Sequence, residues 1–170
     1  VRIVALLILL MSTLTASASS TPDLQPAQLE RQIDEKGAKD VAAALFANKS
    51  SWSALTKNVR AGKSEWIDAA VRLKSGTDGG ASSELQDALF VALENNPRHV
   101  LQVAAPTVPV GVLCSGRSDP LPTARAALSE LDRIQKSVAR VHDNDLAERQ
   151  KDCLGALEVA KANTKRFFKD

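Results

Sequence analysis

Residues 64–103 read SEWIDAAVRLKSGTDGGASSELQDALFVALENNPRHVLQV, and only the period of an α-helix fits them. Trp66, Ile67, Ala70, Val71 and Leu73 recur near helical spacing and make one apolar face. Leu85, Ala88, Leu89, Ala92 and Leu93 repeat at i, i+3, i+4, i+7 and i+8, with Phe90 and Val91 widening the stripe. So wide a stripe belongs to a helix buried on most sides. Two breaks divide the stretch into three helices. Ser64 is placed to cap the first of them. Gly76 is expected to end it in a left-handed cap, a conformation glycine reaches without steric cost. Asp78 opens the second helix. Asn95 and Asn96 end it, and the Asn96-Pro97 pair starts the third, where the missing proline N–H is no loss.

This segment resembles the centre of a group of small exported helical proteins of Gram-negative bacteria. The shared features are Trp66, the turn from Gly76 through Thr77, Asp78 and Gly79 to Gly80, the Asn96-Pro97 restart, the Val100-Leu101 pair and a later Cys114. The resemblance implies a helical fold and an exported location, and it carries no activity.

The ends of the chain have different textures. Arg2 precedes an unbroken apolar run over residues 3–11, and Ala16-Ser17-Ala18 fits the small-x-small site of signal peptidase. Residues 1–18 are therefore expected to be a signal peptide cut between Ala18 and Ser19. The run is about half of the ~20 residues a membrane anchor needs, so no stable anchor is expected after cleavage. Residues 19–26 read as a mobile linker and 27–170 as a single helical domain. Within it, Leu29 and Ile33 share a face, Gly37 breaks or kinks the helix, and Val41, Ala44 and Leu45 continue it with Phe46 alongside. Asn48-Lys49-Ser50 reads as a loop before a helix begun by Ser51 and Trp52, whose Leu55 and Val59 point inward. Trp52/Gly62 and Trp66/Gly76 repeat one pattern, a tryptophan near a helix start and a glycine after its end.

Residues 105–122 hold four of the seven prolines. Val108, Val110, Val112 and Leu113 make this a packed loop, and its prolines bar it from a central strand. Pro120 or Pro122 is expected to open a long helix with the stripe Ala124, Ala127, Leu128, Leu131, Ile134, Val138 and Val141. After a turn at residues 142–145, a last helix turns Leu146, Cys153, Leu154, Leu157, Ala160 and Ala162 inward. The sequence thus predicts an all-α fold: a compact array of about six to eight short antiparallel helices, one disulfide and a Pro-rich packed loop.

Cys114 and Cys153 are the only cysteines. In an exported chain they are expected to form one disulfide. Closing a loop of some forty residues, it stabilises the fold by about 4 kcal/mol. A reactive cysteine with His99 or His142 as base is the rival, and neither cysteine sits in a thiol-enzyme motif. Two histidines and two cysteines, scattered, lack the close ligand pairs of a zinc site, so no metal or cofactor is expected.

Lys plus Arg number 22 against 20 for Asp plus Glu, which argues against nucleic acid as a partner. No metalloprotease helix motif, serine-hydrolase elbow or phosphate loop is present. The turn at Gly76–Gly80 could offer N–H groups to an anion, but it reads better as a helix–helix turn with Asp78 as cap. Glu65 with Asp68, and Asp87 with Glu94, are acid–base pairs only on paper; such carboxylates are mostly solvated. The expected function is a periplasmic or secreted protein-binding module without enzymatic activity, with another protein as partner. An immunity-type inhibitor of a toxin acting in the periplasm and an accessory factor of the envelope are its two concrete forms. The alternatives are a small-molecule binder with a pocket lined by Trp52, Trp66 and Phe90, and an enzyme of unrecognised class.

Overall fold

The structure, a computed structural model, describes residues 24–119 and 121–169. The expected signal peptide, its cleavage point at Ala18 and Ser19, and most of the expected linker lie outside the described residues. Nine α-helices follow in order: α1 Pro26–Lys36, α2 Ala38–Ala47, α3 Lys49–Arg60, α4 Ser64–Lys74, α5 Gly79–Asn95, α6 Pro97–Val103, α7 Val110–Leu113, α8 Ala124–Val138 and α9 Ala147–Phe167. A 3-10 turn, Asn144–Leu146, precedes α9. The fold is all-α, with no strand among the described residues. None of these helices is long and apolar enough to cross a membrane.

The centre is α5. Leu85, Ala88, Leu89, Phe90, Ala92 and Leu93 are all fully buried, and α3, α4, α6, α7 and α8 pack around them. Helix α1 closes over α4, and α9 lies against α8 and α7. The buried apolar side chains form one cluster running from Leu29 to Ala160. Trp52 and Trp66 are both core residues. The indole N–H of Trp52 donates to Glu84, which satisfies the one polar group of a buried ring.

Several local expectations change. Ser64 is not the cap of α4: Lys63 takes that position, and the Ser64 hydroxyl accepts from the Asn96 amide at 3.2 Å. Asp78 does occupy the cap position of α5, but its side chain makes no capping bond. Asn48 is a cap and not a loop residue, its Oδ1 accepting from Ser51 N at 3.1 Å, so α3 begins at Lys49. Helix α8 begins beyond both prolines, capped by the Thr123 hydroxyl. Pro26, the last residue of the expected linker, is the first residue of α1. Ala42 takes the inward place expected of Ala44, while Phe46 is 41% exposed and Ala162 is exposed.

Gly76 carries the largest correction. Its φ is not positive, unlike that of Gly37, Gly62, Gly79 and Gly116. Its reason is space: a Cβ there would lie 2.3 Å from the Lys39 nitrogen and 2.4 Å from the Ala38 carbonyl carbon. The end of α4 touches the start of α2 backbone to backbone. The two helix breaks at Gly62 and Asn95 also meet. The Asn95 amide donates to Arg60 O at 2.8 Å, and the Asn96 amide donates to Gly62 O at 2.9 Å. Carbonyls left open at the end of α3 are thereby satisfied by the side chains that end α5.

Candidate functional site: a cleft beside the disulfide

The Pro-rich segment is packed down as expected, but through a helical turn. After α6 the chain buries Val108, makes α7 and buries Leu113 and Cys114. Val112 remains half exposed. Cys114 Sγ is bonded to Cys153 of α9 at 2.03 Å, with the Cα atoms 5.3 Å apart. Both cysteines are fully buried, and none is free. This ties the loop to the last helix about two turns from its start.

Immediately after the bridge, residues 115–118 turn sharply. Gly116 has φ +100°, a conformation that side-chain-bearing residues rarely adopt. The turn sends Arg117 back toward α8. There Nε and Nη2 donate to Glu130 Oε2 and Oε1 at 2.8 and 2.7 Å, a two-pronged pair with Glu130 only 8% exposed. Hydrogen bonding to Glu130 raises the Arg117 pKa above its ordinary value against the opposing effect of burial, with Glu130 and Asp87 adding their charge. Ser118 is held from the other side: its N–H and its hydroxyl donate to Asp87 Oδ1 of α5 at 2.8 and 3.1 Å. Two buried carboxylates thus fix one four-residue wall.

Against this wall lies a cleft of about 350 Å³. Its floor is Phe90 and Leu131, and its far side is Ala160, Asn163 and Thr164 of α9. Phe167 and Phe168 stand at its end, edge to face with ring centres 5.1 Å apart, and Phe167 is 67% exposed. The cleft is therefore apolar on two sides, with its charged pair already neutralised internally and Ser115, Ser118, Asn163 and Thr164 among its polar groups.

The other residues singled out in the sequence are dispersed. Trp52 lines a separate hollow with Phe46, Thr56 and Arg60, and Trp66 is packed in the core, so the three aromatics expected to share a pocket do not. His99 is partly exposed, with Nε2 2.9 Å from Asp68 Oδ1. Asp68 and Glu65 line a broad open groove of about 780 Å³ with Glu30 and Arg72, the last already bonded to Glu30 and Asp34. Asp87 and Glu94 do not pair: Asp87 holds Ser118, and Glu94 accepts from Arg133 at 2.7 Å. His142 is exposed between α8 and the 3-10 turn. No group of three or more His, Cys, Asp or Glu among the described residues is arranged to hold a metal.

Sequence reasoning missed Arg117 and Glu130. The signal was there: Glu130 lies four residues before Ile134 and three after Ala127, on the inward stripe of α8. A carboxylate on an apolar face requires a buried cation to meet it. Compared with known proteins, the chain matches no family model, no curated protein and no solved structure.

Proposed function

We propose that this chain is a protein-binding module of an oxidising extracytoplasmic space, with the cleft beside the disulfide as its contact face. The observation that carries the proposal is the internal pairing of Arg117 with Glu130 beside the exposed ring of Phe167. A site whose charges are matched within the chain binds by shape and apolar burial, and aromatic anchors dominate such contacts. The fully buried disulfide supports the oxidising location. An immunity-type inhibitor of a periplasm-acting toxin and an envelope accessory factor are the two forms this module takes. A toxin gene beside this one favours the first, and an envelope-assembly gene the second. The test is capture from a periplasmic extract on the oxidised chain, with Phe167→Ala alongside. One protein retained by the wild type and lost with the variant is expected. Repeated capture of no protein, or equal capture by both chains, overturns the proposal.

One observation favours a second reading. At about 350 Å³ the cleft reaches the size of a small-molecule pocket, roughly 300 Å³ or more, and of the three aromatics expected to line such a pocket Phe90 lines it while Trp52 and Trp66 do not. Native mass spectrometry of the purified chain decides: a retained mass lost with Phe167→Ala supports a ligand, and a bare chain mass refutes it.

A further inference from the structure

The wall at residues 115–118 has a second face. Besides the cleft it lines a hollow of about 280 Å³ against the end of α4 and the first turns of α5. Lys74, Ser82, Gln86, Ser115, Arg117 and Ser118 line it, and no described carboxylate does. Asp87 and Glu130 stand behind that lining, committed to Ser118 and to Arg117.

The hydrogen-bond inventory of this hollow is uneven. Gln86 donates to Val112 O, the Ser115 hydroxyl to the same carbonyl, and the Ser118 hydroxyl to Asp87. Those bonds are committed, and one N–H of the Gln86 amide remains. Lys74 Nζ has one partner among the described residues, the Ser82 hydroxyl. An ammonium carries three N–H groups, so two remain. Ser82, having accepted that bond, keeps its own proton to donate. Arg117 bonds Glu130 through Nε and one N–H of Nη2, which leaves three N–H groups, two on Nη1 and one on Nη2. Seven unused donors therefore belong to side chains around one small hollow, and Lys74 is the cation of its lining that no carboxylate already pairs.

We propose that this hollow is a binding site for a tetrahedral oxyanion, phosphate or sulfate. A carboxylate accepts about four hydrogen bonds, fewer than the donors present, whereas a tetrahedral oxyanion accepts them all. Lys74 is the residue that gains most. Burial holds its pKa below that of an ordinary lysine, and its partner is a neutral hydroxyl, so an anion beside it supplies the missing countercharge. The hollow is larger than the ion, which leaves room for a phosphate ester as well as the free ion. The site shares residues 115–118 with the cleft proposed above as the protein contact, but Lys74, Ser82 and Gln86 line this hollow and not that cleft, so Lys74→Met tests it apart from the protein contact.

The test is a titration of the full oxidised chain with inorganic phosphate, sulfate, glycerol phosphate and acetate, at constant ionic strength, followed by amide NMR shifts. Saturable shifts at Ser82 and at residues 115–118 are expected with phosphate and sulfate, with acetate weaker. Tighter binding of glycerol phosphate identifies an ester as the ligand; tighter binding of inorganic phosphate identifies the free ion. Lys74→Met weakens phosphate binding about tenfold and Lys74→Arg retains it. Shifts that stay linear and match those with sodium chloride overturn the proposal, as does binding unchanged in Lys74→Met or acetate bound as tightly as phosphate. If Lys74→Met does not reproduce the wild-type circular dichroism, Ser82→Ala carries the same comparison, with a loss of about fivefold expected and no loss refuting the site.

Discussion

Gly76→Ala separates two explanations of the same glycine. If Gly76 were a left-handed cap, alanine would add conformational strain, and asparagine would be tolerated because it visits that region readily. In the structure φ is not positive, and the obstacle is backbone. A Cβ would lie 2.3 Å from Lys39 N, 2.4 Å from Ala38 C and 2.7 Å from Lys39 Cα. Carbon atoms in contact sit about 3.5–4.0 Å apart, so α4 and α2 must separate by about 1 Å. No flexible side-chain end is there to give way. The cost falls at the upper end for overpacking, about 3 kcal/mol. For a chain of this length that lowers Tm by about 6–12 °C. Gly155→Ala is the opposite control. Gly155 lies within α9 with nothing within 4 Å of an added Cβ, so alanine there stabilises the helix by about 0.8–1 kcal/mol. The assay is urea unfolding by far-ultraviolet circular dichroism, with Gly76→Asn as the third variant. Asparagine is expected to be at least as damaging as alanine. A loss below about 0.5 kcal/mol for Gly76→Ala, or near-wild-type stability for Gly76→Asn, refutes the close approach.

Four further outcomes follow from particular contacts. Replacing both cysteines by serine lowers stability by about 2–5 kcal/mol in the same urea assay, and a smaller loss refutes the bridge as a staple. Arg117→Met strands the Glu130 carboxylate and is expected to cost about 3 kcal/mol; the double variant with Glu130→Leu recovers much of it, and additive losses count against a coupled pair. Thr123→Ala removes the cap of α8 and costs about 1 kcal/mol by the same assay; no loss means the cap is idle. The Asp132 pKa is lowered by its hydrogen bond from Lys161 at 2.6 Å, so the folded chain releases that proton more readily than the unfolded one. This contribution is full above pH ~4 and disappears as pH falls through that value and below it. Asp132→Asn should therefore flatten the acid side of the stability profile, and an unchanged slope refutes the assignment.

The periodic parts of the fold were legible because each stripe has one physical meaning. Leu85 through Leu93 could be placed at the centre from spacing alone, and the two cysteines could be paired because no third exists. What spacing could not supply was contact between distant breaks. The Asn95 and Asn96 amides reach carbonyls more than thirty residues away, and Gly76 is small because of Ala38 and Lys39, which no local rule connects to it. Ser64 misled for the same reason: its hydroxyl serves Asn96 and not its own helix. The cleft was least legible of all. No local pattern connects Arg117 and Ser118 to Glu130 and Asp87; the turn at Gly116 brings them together.

Cys114 and Cys153 are 39 residues apart in sequence, and nothing between them offers a sulfur. At about 5–20 residues per second, synthesis leaves the first thiol alone for roughly 2–8 s before the second is made. During that interval no bond within the chain is open to it, so any premature link must be to a different molecule. The bridge can close only once α9 has been made, so the link between the Pro-rich loop and the last helix is among the last parts of the fold to form.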